Sequence, residues 1–442
     1  MKVKLQIWAA IAIVAVMLAA PNSARADAVS DWNAIAVQAI VTGARPGPSG
    51  VLDIAMVQAA VYDAVQAIVK QYKPYRVEIK GASGSPVAAA AKAAHDVLVN
   101  RFPAQAAALD TTYQQYLLNN GLAETDPGVA VGATAAAGII AMRACDGSFP
   151  VPAPPSFVGG TDPGVWRPTP SGFAPMLVPW LGNVTPFTLT RPSQFRAQPP
   201  PALTSSEYAR DYNEVKVMGA LDNSFRTPQQ TDLAQFWNAN YVVLWNQVLR
   251  EIAGIHVHNI SQSSRLFALA DMSMADAAIT AWNTKNYYVF WRPFTAIREG
   301  NNDGNSLTAG DSAWAPLIVN PAYPDYSSGA NNLSAATLRA LALFFGTDAM
   351  AFSVTTTNLA PTVQDTRTYF RFSEAAEEVV TARVYQGIHF RFADTAARKQ
   401  GQQVARWAFN NFLRPVDEIN NDDDGDLGDV DAGPFGPRPN NE

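Results

Sequence analysis

An all-α fold of two packed helical bundles is what this sequence predicts, and three observations predict it. Alanine-rich segments carry apolar residues at helical spacing, and strand-like alternation is nearly absent. A lone cysteine, Cys145, cannot close a disulfide within the chain, so stability must come from burial. The chain has 442 residues, 48% of them hydrophobic, which supplies a large core and exceeds the size at which one core usually divides. Two packed helical layers are therefore expected more than two independent domains.

Residues 1–26 read as a Sec-type signal peptide: Lys2 and Lys4 precede an apolar run from Ile7 to Ala20, and Ala24-Arg25-Ala26 supplies the small-residue cleavage site. The apolar run is shorter than the roughly 20 residues a bilayer span needs, and no later segment reads as reaching that length. The expectation is an exported protein, periplasmic or secreted, with no membrane span after cleavage. Residues 27–148 form an N-terminal helical region, in which 51–68 and 86–102 are the clearest helices. Residues 149–205 are a proline-rich ordered loop. Fourteen of the 31 prolines fall between Phe149 and Pro201, too many for any regular helix, while Trp166, Phe173, Trp180 and Phe187 are costly to leave in water. Helical patterns return over 206–217, 229–251, 261–291, 331–345, 373–383 and 393–413, within a second bundle spanning 206–419. The acidic tail, 420–442, superficially looks like a calcium loop but lacks the bidentate glutamate at its twelfth position, so it reads as a solvated tail.

A formal net charge of −6 makes nucleic acid and anionic membranes poor partners. Any bound anion must be drawn by a local basic cluster, and the second bundle offers candidates. Lys285 and Arg292 are seven positions apart, which on one helix returns to nearly the same face, and Pro293 places Arg292 near a helix end. They read either as a solvated basic pair or as two cations bending toward a shared anion; flanking Tyr287, Tyr288, Phe290 and Trp291 argue against full exposure. Ser328 and Gly329 precede a helix, where a hydroxyl and free backbone N–H groups make either an ordinary N-cap or an oxyanion cradle. Arg383 and His389 do not share a helix face, but Gly387 can end the helix carrying Arg383 and leave His389 in the turn before the next.

Lys with six residues then Arg-Pro, Ser-Gly at a helix start, and Arg with five residues then His occur here in that order. The ordered set resembles the signature shared by vanadium-dependent haloperoxidases and the related acid phosphatases of the phosphatidic acid phosphatase type 2 superfamily. GVWRPTP, VTPFTL, RPSQFRAQPPPALTSSEYARDYNEVK and RTPQQTDLAQFW are similar to the bacterial haloperoxidase-like branch, so the resemblance covers nearly all of the mature chain. It implies a fold like that of vanadium chloroperoxidase and the acid phosphatases. It also implies that Lys285, Arg292 and Arg383 neutralise the equatorial oxygens of vanadate or phosphate. Ser328 and the Gly329 N–H would donate to the same oxygens, and His389 would be the apical group, a vanadium ligand in a peroxidase or the nucleophile in a phosphatase.

One position departs from the family pattern. The motif continues Ser-Gly-His, with that histidine as the acid-base group, whereas this chain has Ala330. Only His95, His256 and His258 remain besides His389; His256 and His258 could approach from another helix, and Asp325 is the nearest carboxylate in sequence. Three readings follow. The first is a haloperoxidase-like enzyme in which vanadate activates hydrogen peroxide to oxidise a halide or an organic thioether. The second is an extracytoplasmic acid phosphatase working through a phospho-histidine, and the third a catalytically impaired oxyanion-binding protein. The halide, the organic substrate and homo-oligomer formation are left open by the sequence.

Overall fold

The computed structural model describes residues 27–358 and 365–416. The signal-peptide segment and the acidic tail read from the sequence lie outside the described residues. Among the described residues there are thirteen α-helices: α1 (Ala28–Thr42), α2 (Gly47–Val69), α3 (Pro86–Arg101), α4 (Ala106–Asn119), α5 (Pro127–Arg143), α6 (Ser206–Met218), α7 (Pro228–Phe236), α8 (Tyr241–His256), α9 (Ile260–Tyr288), α10 (Pro293–Arg298), α11 (Gly329–Phe345), α12 (Phe372–Tyr385) and α13 (Arg391–Asn411). The all-α class holds, with one addition: an antiparallel pair, β1 (Ala349–Thr355) and β2 (Thr366–Arg371), joins α11 to α12. Its Thr-rich, half-exposed alternation is too short to stand out beside the helical stretches.

The central element is α9, which packs against α2 on one side and against α11 and α13 on the other, while α2, α3 and α5 pack on one another. One apolar cluster runs continuously from Trp32 through the alanines of α3 to α9 and α11. Small side chains allow the close approach: a Cβ on Gly132 would sit 2.4 Å from the Ala89 carbonyl, and one on Gly401 2.4 Å from that of Asn332. Contrary to the sequence reading, α2 is long and apolar enough to cross a membrane, yet 89% of its apolar window is buried within the fold. Two carboxylates explain how it differs from a lipid-facing span. Asp53 pairs with Arg45 at 3.0 Å and Arg101 at 2.7 Å, and Asp63 accepts the backbone N–H groups of Tyr75, Arg76 and Val77.

Other boundaries differ where backbone chemistry is local. The expected helix over 229–251 is two, since Asn240 caps a fresh start by accepting from Val242 N and Val243 N. The proline-rich segment is ordered along one face of α9. Asp276 accepts from Phe187 N, Thr188 N and Oγ1, and Leu189 N, while Asn283 and Asn286 donate to the carbonyls of Gly182 and Pro179. Prolines lack N–H groups, so side-chain amides supply the donors those carbonyls would otherwise miss. Trp166 and Phe187 are each 1% exposed, but Phe173 is 65% exposed and does not anchor the loop as its composition suggested.

A polar chain crosses the core away from the loop: Arg250 donates to Asn33, Asn33 to Asn246 and Asn246 to Asp271. Burial pushes the Asp271 carboxyl up to about 7, against a stabilising hydrogen bond from Asn246 and the more distant Arg250 charge. Below about pH 4 both folded and unfolded chains carry this group protonated. Between about pH 4 and 7 only the unfolded chain ionises it, so its contribution to stability is progressively lost. Asp271→Asn should therefore match the wild type in denaturant unfolding at pH 4 and exceed it by a few kcal/mol at pH 8. Parallel pH profiles for the two proteins would contradict this.

Candidate oxyanion site

Local backbone geometry sets the site's two sequence-distant cations. The helix expected to run to residue 291 stops at Tyr288, because Val289 turns left-handed at φ 48°. The chain then runs extended against the proline-rich loop, with Trp166 N donating to Val289 O and Trp291 N to Gly164 O. Lys285 thus sits in the last turn of α9, and Arg292 becomes the N-cap of α10, with Pro293 at its first position. The two do not share one helix face as their spacing suggested; a change of direction brings them together instead.

Both are fully buried. Lys285 Nζ donates to the carbonyls of Pro324 (2.6 Å) and Asp325 (3.0 Å), and the Arg292 guanidinium to those of Tyr323 (2.9 Å) and Ile388 (2.6 Å). Arg292 Nη1 lies 3.2 Å from His389 Nε2. Gly387, at φ 77°, ends α12 as expected; a Cβ there would stand 2.3 Å from the Gly219 carbonyl, so only glycine permits this turn. His389 follows it, just before α13 opens at Arg391, and is 1% exposed.

Sequence reading gave Asp325 no role, and the structure sets it at the centre. Its Oδ1 is 2.6 Å from His389 Nδ1, close but not aligned as a hydrogen bond, and 3.9 Å from Arg292 Nη1. Burial raises its carboxyl to about 7, although Arg292 and Lys285 pull it down. His389 is held well below its usual range by burial and then by Arg292, Arg383 and Lys285, so the imidazole is neutral. When Asp325 is ionised it favours the tautomer protonated at Nδ1, which leaves the Nε2 lone pair facing Arg292 Nη1. Burial, followed by the Arg292 charge, also drives Lys285 well down, an effect that a bound anion opposes.

Ser328 is the N-cap of α11, but its hydroxyl makes no cap bond; it accepts from Asn331 Nδ2 at 3.3 Å and also faces Asp394 of α13. Asn331 Nδ2 donates to Asp394 Oδ1 at 2.8 Å, and burial, mainly, raises Asp394 well above the carboxylate range. Asp394 was missed as a site residue because nothing in its sequence neighbourhood marks it; it arrives through the packing of α13 on α11. Arg383 completes the group. Its charge acts on Lys285, Arg292, His389, Asp325 and Asp394, and it lines a cleft of about 300 Å³ together with Gly329 and Ala330.

All the residues named from the sequence as anion-binding thus meet around one place, but two carboxyls, Asp325 and Asp394, share it with the three cations. Arg292 Nη2 and Arg383 Nε are buried and make no hydrogen bond among the described residues. The other histidines stay away. His95 lies between Asp96 and Asp110 at 2.8 Å each, His256 packs its ring edge-on to Phe345, and His258 lines a separate cleft with Asp27 and Arg250.

Three buried basic side chains thus gather near His389 and the start of α11 in this all-helical frame. Residues 265–418 match the family model of the VCPO second helical-bundle domain. Vanadium chloroperoxidase from Curvularia inaequalis is 28% identical over 184 residues, covering 34% of this chain and 30% of that protein's length. The crystal structure of a bacterial vanadium-dependent iodoperoxidase superposes with a TM-score of 0.75 at 22% identity, over 88% of this chain and 97% of that one. The apo form of a bacterial vanadium-dependent chloroperoxidase gives 0.67 at 17% identity, over 83% of this chain and 94% of that one. Residues 265–418 thus match that second helical-bundle domain, and the chain as a whole has the fold of the vanadium-dependent haloperoxidase structures.

Proposed function

We propose that this chain is a haloperoxidase-like enzyme whose site, formed by Lys285, Arg292, Arg383, Ser328, Gly329 and His389, holds vanadate and uses hydrogen peroxide to oxidise a halide. The observation that carries it is the convergence of three buried basic side chains on a neutral His389, with Arg292 Nη2 and Arg383 Nε making no hydrogen bond among the described residues. Vanadate, when bound, supplies the Lewis-acidic centre at which peroxide is activated. Lys285, Arg292 and Arg383 would neutralise its oxygens, and the first-turn N–H groups of α11 would add the positive end of a helix dipole. His389 would present Nε2, and Asp325 Oδ1, 2.6 Å from Nδ1, would become the acceptor for the Nδ1 proton once the ring aligns with it.

The same residues suit a phosphatase reading, in which phosphate takes the site and His389 attacks phosphorus, because both chemistries ask for the same preorganised charge. A specific observation favours keeping it. Asp325 and Asp394 both hold protons more tightly than ordinary carboxyls, which supplies acid capacity where Ala330 has none. Vanadate-dependent bromide oxidation by peroxide tests the first reading, and phosphate release from an activated aryl phosphate tests the second. Binding of either anion without turnover would leave an oxyanion-binding protein. We further propose action outside the cytoplasm, supported by the signal-peptide pattern of residues 1–26.

Ala330→His should raise peroxidase turnover about tenfold or more with little change in vanadate affinity, since a proton-transfer group acts on the transition state. Ala330 lines the cleft at the second position of α11, so the larger ring can enter open space. A folded, vanadate-binding variant with no gain in turnover would show that the alanine is not the defect.

A further inference from the structure

A second cleft, of about 630 Å³, shares no lining residue with the one bordered by Arg383 and Ala330. Residues 194–199 of the proline-rich segment line it together with α13, which contributes Thr395, Lys399 and Gln403, and with the start of α6. Its size suits a small organic molecule. Four cations border it, and two of them are already neutralised. Arg391 forms a bidentate pair with Glu214, at 2.7 Å and 2.8 Å, and Arg210 pairs with Asp211 at 2.9 Å. Arg196 and Lys399 form no ion pair among the described residues. Arg196 donates to Asn283 Oδ1 at 2.8 Å and lies 4.0 Å from the Tyr287 ring centroid, contacts that order the guanidinium without cancelling its charge. Against these two stands Glu207, which likewise enters no ion pair among the described residues. In a chain of net charge −6, two uncompensated cations in one cleft are a local exception, and they suit a ligand with two carboxylates.

The same cleft is tied to the oxyanion site by hydrogen bonds. Gln400 lines it and is 2% exposed. Its Nε2 donates to the Phe195 carbonyl and to Thr284 Oγ1, at 2.9 Å each, and its Oε1 accepts from Ser327 Oγ at 2.5 Å and Asn332 Nδ2 at 3.3 Å. Thr284 precedes Lys285 and Ser327 precedes Ser328, so one buried amide joins the cleft wall to the neighbours of two oxyanion-site residues. The Tyr326 hydroxyl makes a second tie by donating to the Gln198 carbonyl at 2.7 Å. A third runs through α6, where Asp211 accepts from Phe392 N at 2.7 Å, three residues after His389. A ligand that shifts residues 195–198 relative to α13 therefore acts on the backbone carrying Lys285, Ser328 and His389.

We propose that this cleft binds a small dicarboxylate through Arg196 and Lys399, and that its occupancy changes the affinity of the oxyanion site. The binding stands on the cleft alone, whereas the coupling rests on the oxyanion reading of Lys285, Ser328 and His389.

Calorimetry on the full chain tests both parts, with glutarate as the probe and valerate as its monocarboxylate counterpart. A glutarate affinity about tenfold or more above that of valerate is expected, from the second charge-assisted contact. Lys399→Gln, at an exposed position, and Arg196→Gln should each abolish that preference, with thermal unfolding as the check on folding. A dicarboxylate can also compete at the oxyanion site, so Arg383→Ala is the control, and glutarate binding should survive it. Phosphate affinity should change about fivefold or more in saturating glutarate, and the change should level off as glutarate rises, as linkage between two sites requires and competition for one does not. Tyr326→Phe, which removes the tie to Gln198, should shrink that factor while glutarate still binds. Equal affinity for glutarate and valerate would overturn the dicarboxylate site, as would a preference that survives in either folded variant or glutarate binding that vanishes with Arg383→Ala. Phosphate affinity unmoved by bound glutarate would overturn the coupling. If the wild type binds neither phosphate nor vanadate, the oxyanion reading fails and the coupling with it, while glutarate binding lost in Lys399→Gln still upholds the cleft as a site.

Discussion

Replacing His389 by alanine should lower turnover about 10³-fold or more, whichever reaction the protein performs, while phosphate binding changes far less. The imidazole is the neutral, lone-pair-bearing group at the centre of the cation cluster, and both readings require a bond to its Nε2. Lys285, Arg292 and Arg383 each remain in the variant, so the electrostatic attraction for an anion persists. Steady-state bromide oxidation with vanadate and peroxide, and release of aryl alcohol from an aryl phosphate, are the paired assays. Turnover within a few-fold of the wild type in the active assay would exclude His389 from the reaction.

Arg383→Ala should weaken both vanadate and phosphate by one to two decades, from the loss of a charge-assisted contact of about 1.5–3 kcal/mol. The arginine is 6% exposed, and its Nε makes no hydrogen bond among the described residues, so its charge is little screened by solvent. It also bears on Asp325 and Asp394, whose carboxyls it helps keep from rising further. The substitution should therefore shift the pH dependence of anion affinity as well as its magnitude. Isothermal titration showing unchanged affinity for both anions would remove Arg383 from the site.

Legibility in the sequence followed the range of the forces involved. Helix positions were readable because apolar spacing and alanine content are local, and Gly387 announced the turn that frees His389 because a left-handed backbone next to the Gly219 carbonyl admits no other residue. The break at Val289 was not readable. A valine at positive φ is held there by pairing with residues 164–166, more than a hundred positions away. The helix break near Asn240 and the β1–β2 pair were missed for a related reason, since weak local signals lay inside longer helical patterns. The three cations, Ser328 and His389 were identified through ordered motifs. Asp325 and Asp394 were not, because a carboxyl becomes part of an anion site only when packing buries it among cations, and no spacing rule encodes that.

A crystal structure of the protein soaked with vanadate tests the central claim most directly. The account predicts one tetrahedral or five-coordinate oxyanion in contact with Lys285, Arg292 and Arg383, its central atom facing His389 Nε2 and its oxygens within reach of Ser328 and the Gly329 N–H. An anion bound elsewhere, or one held by the cations with His389 Nε2 turned away from it, would contradict the account.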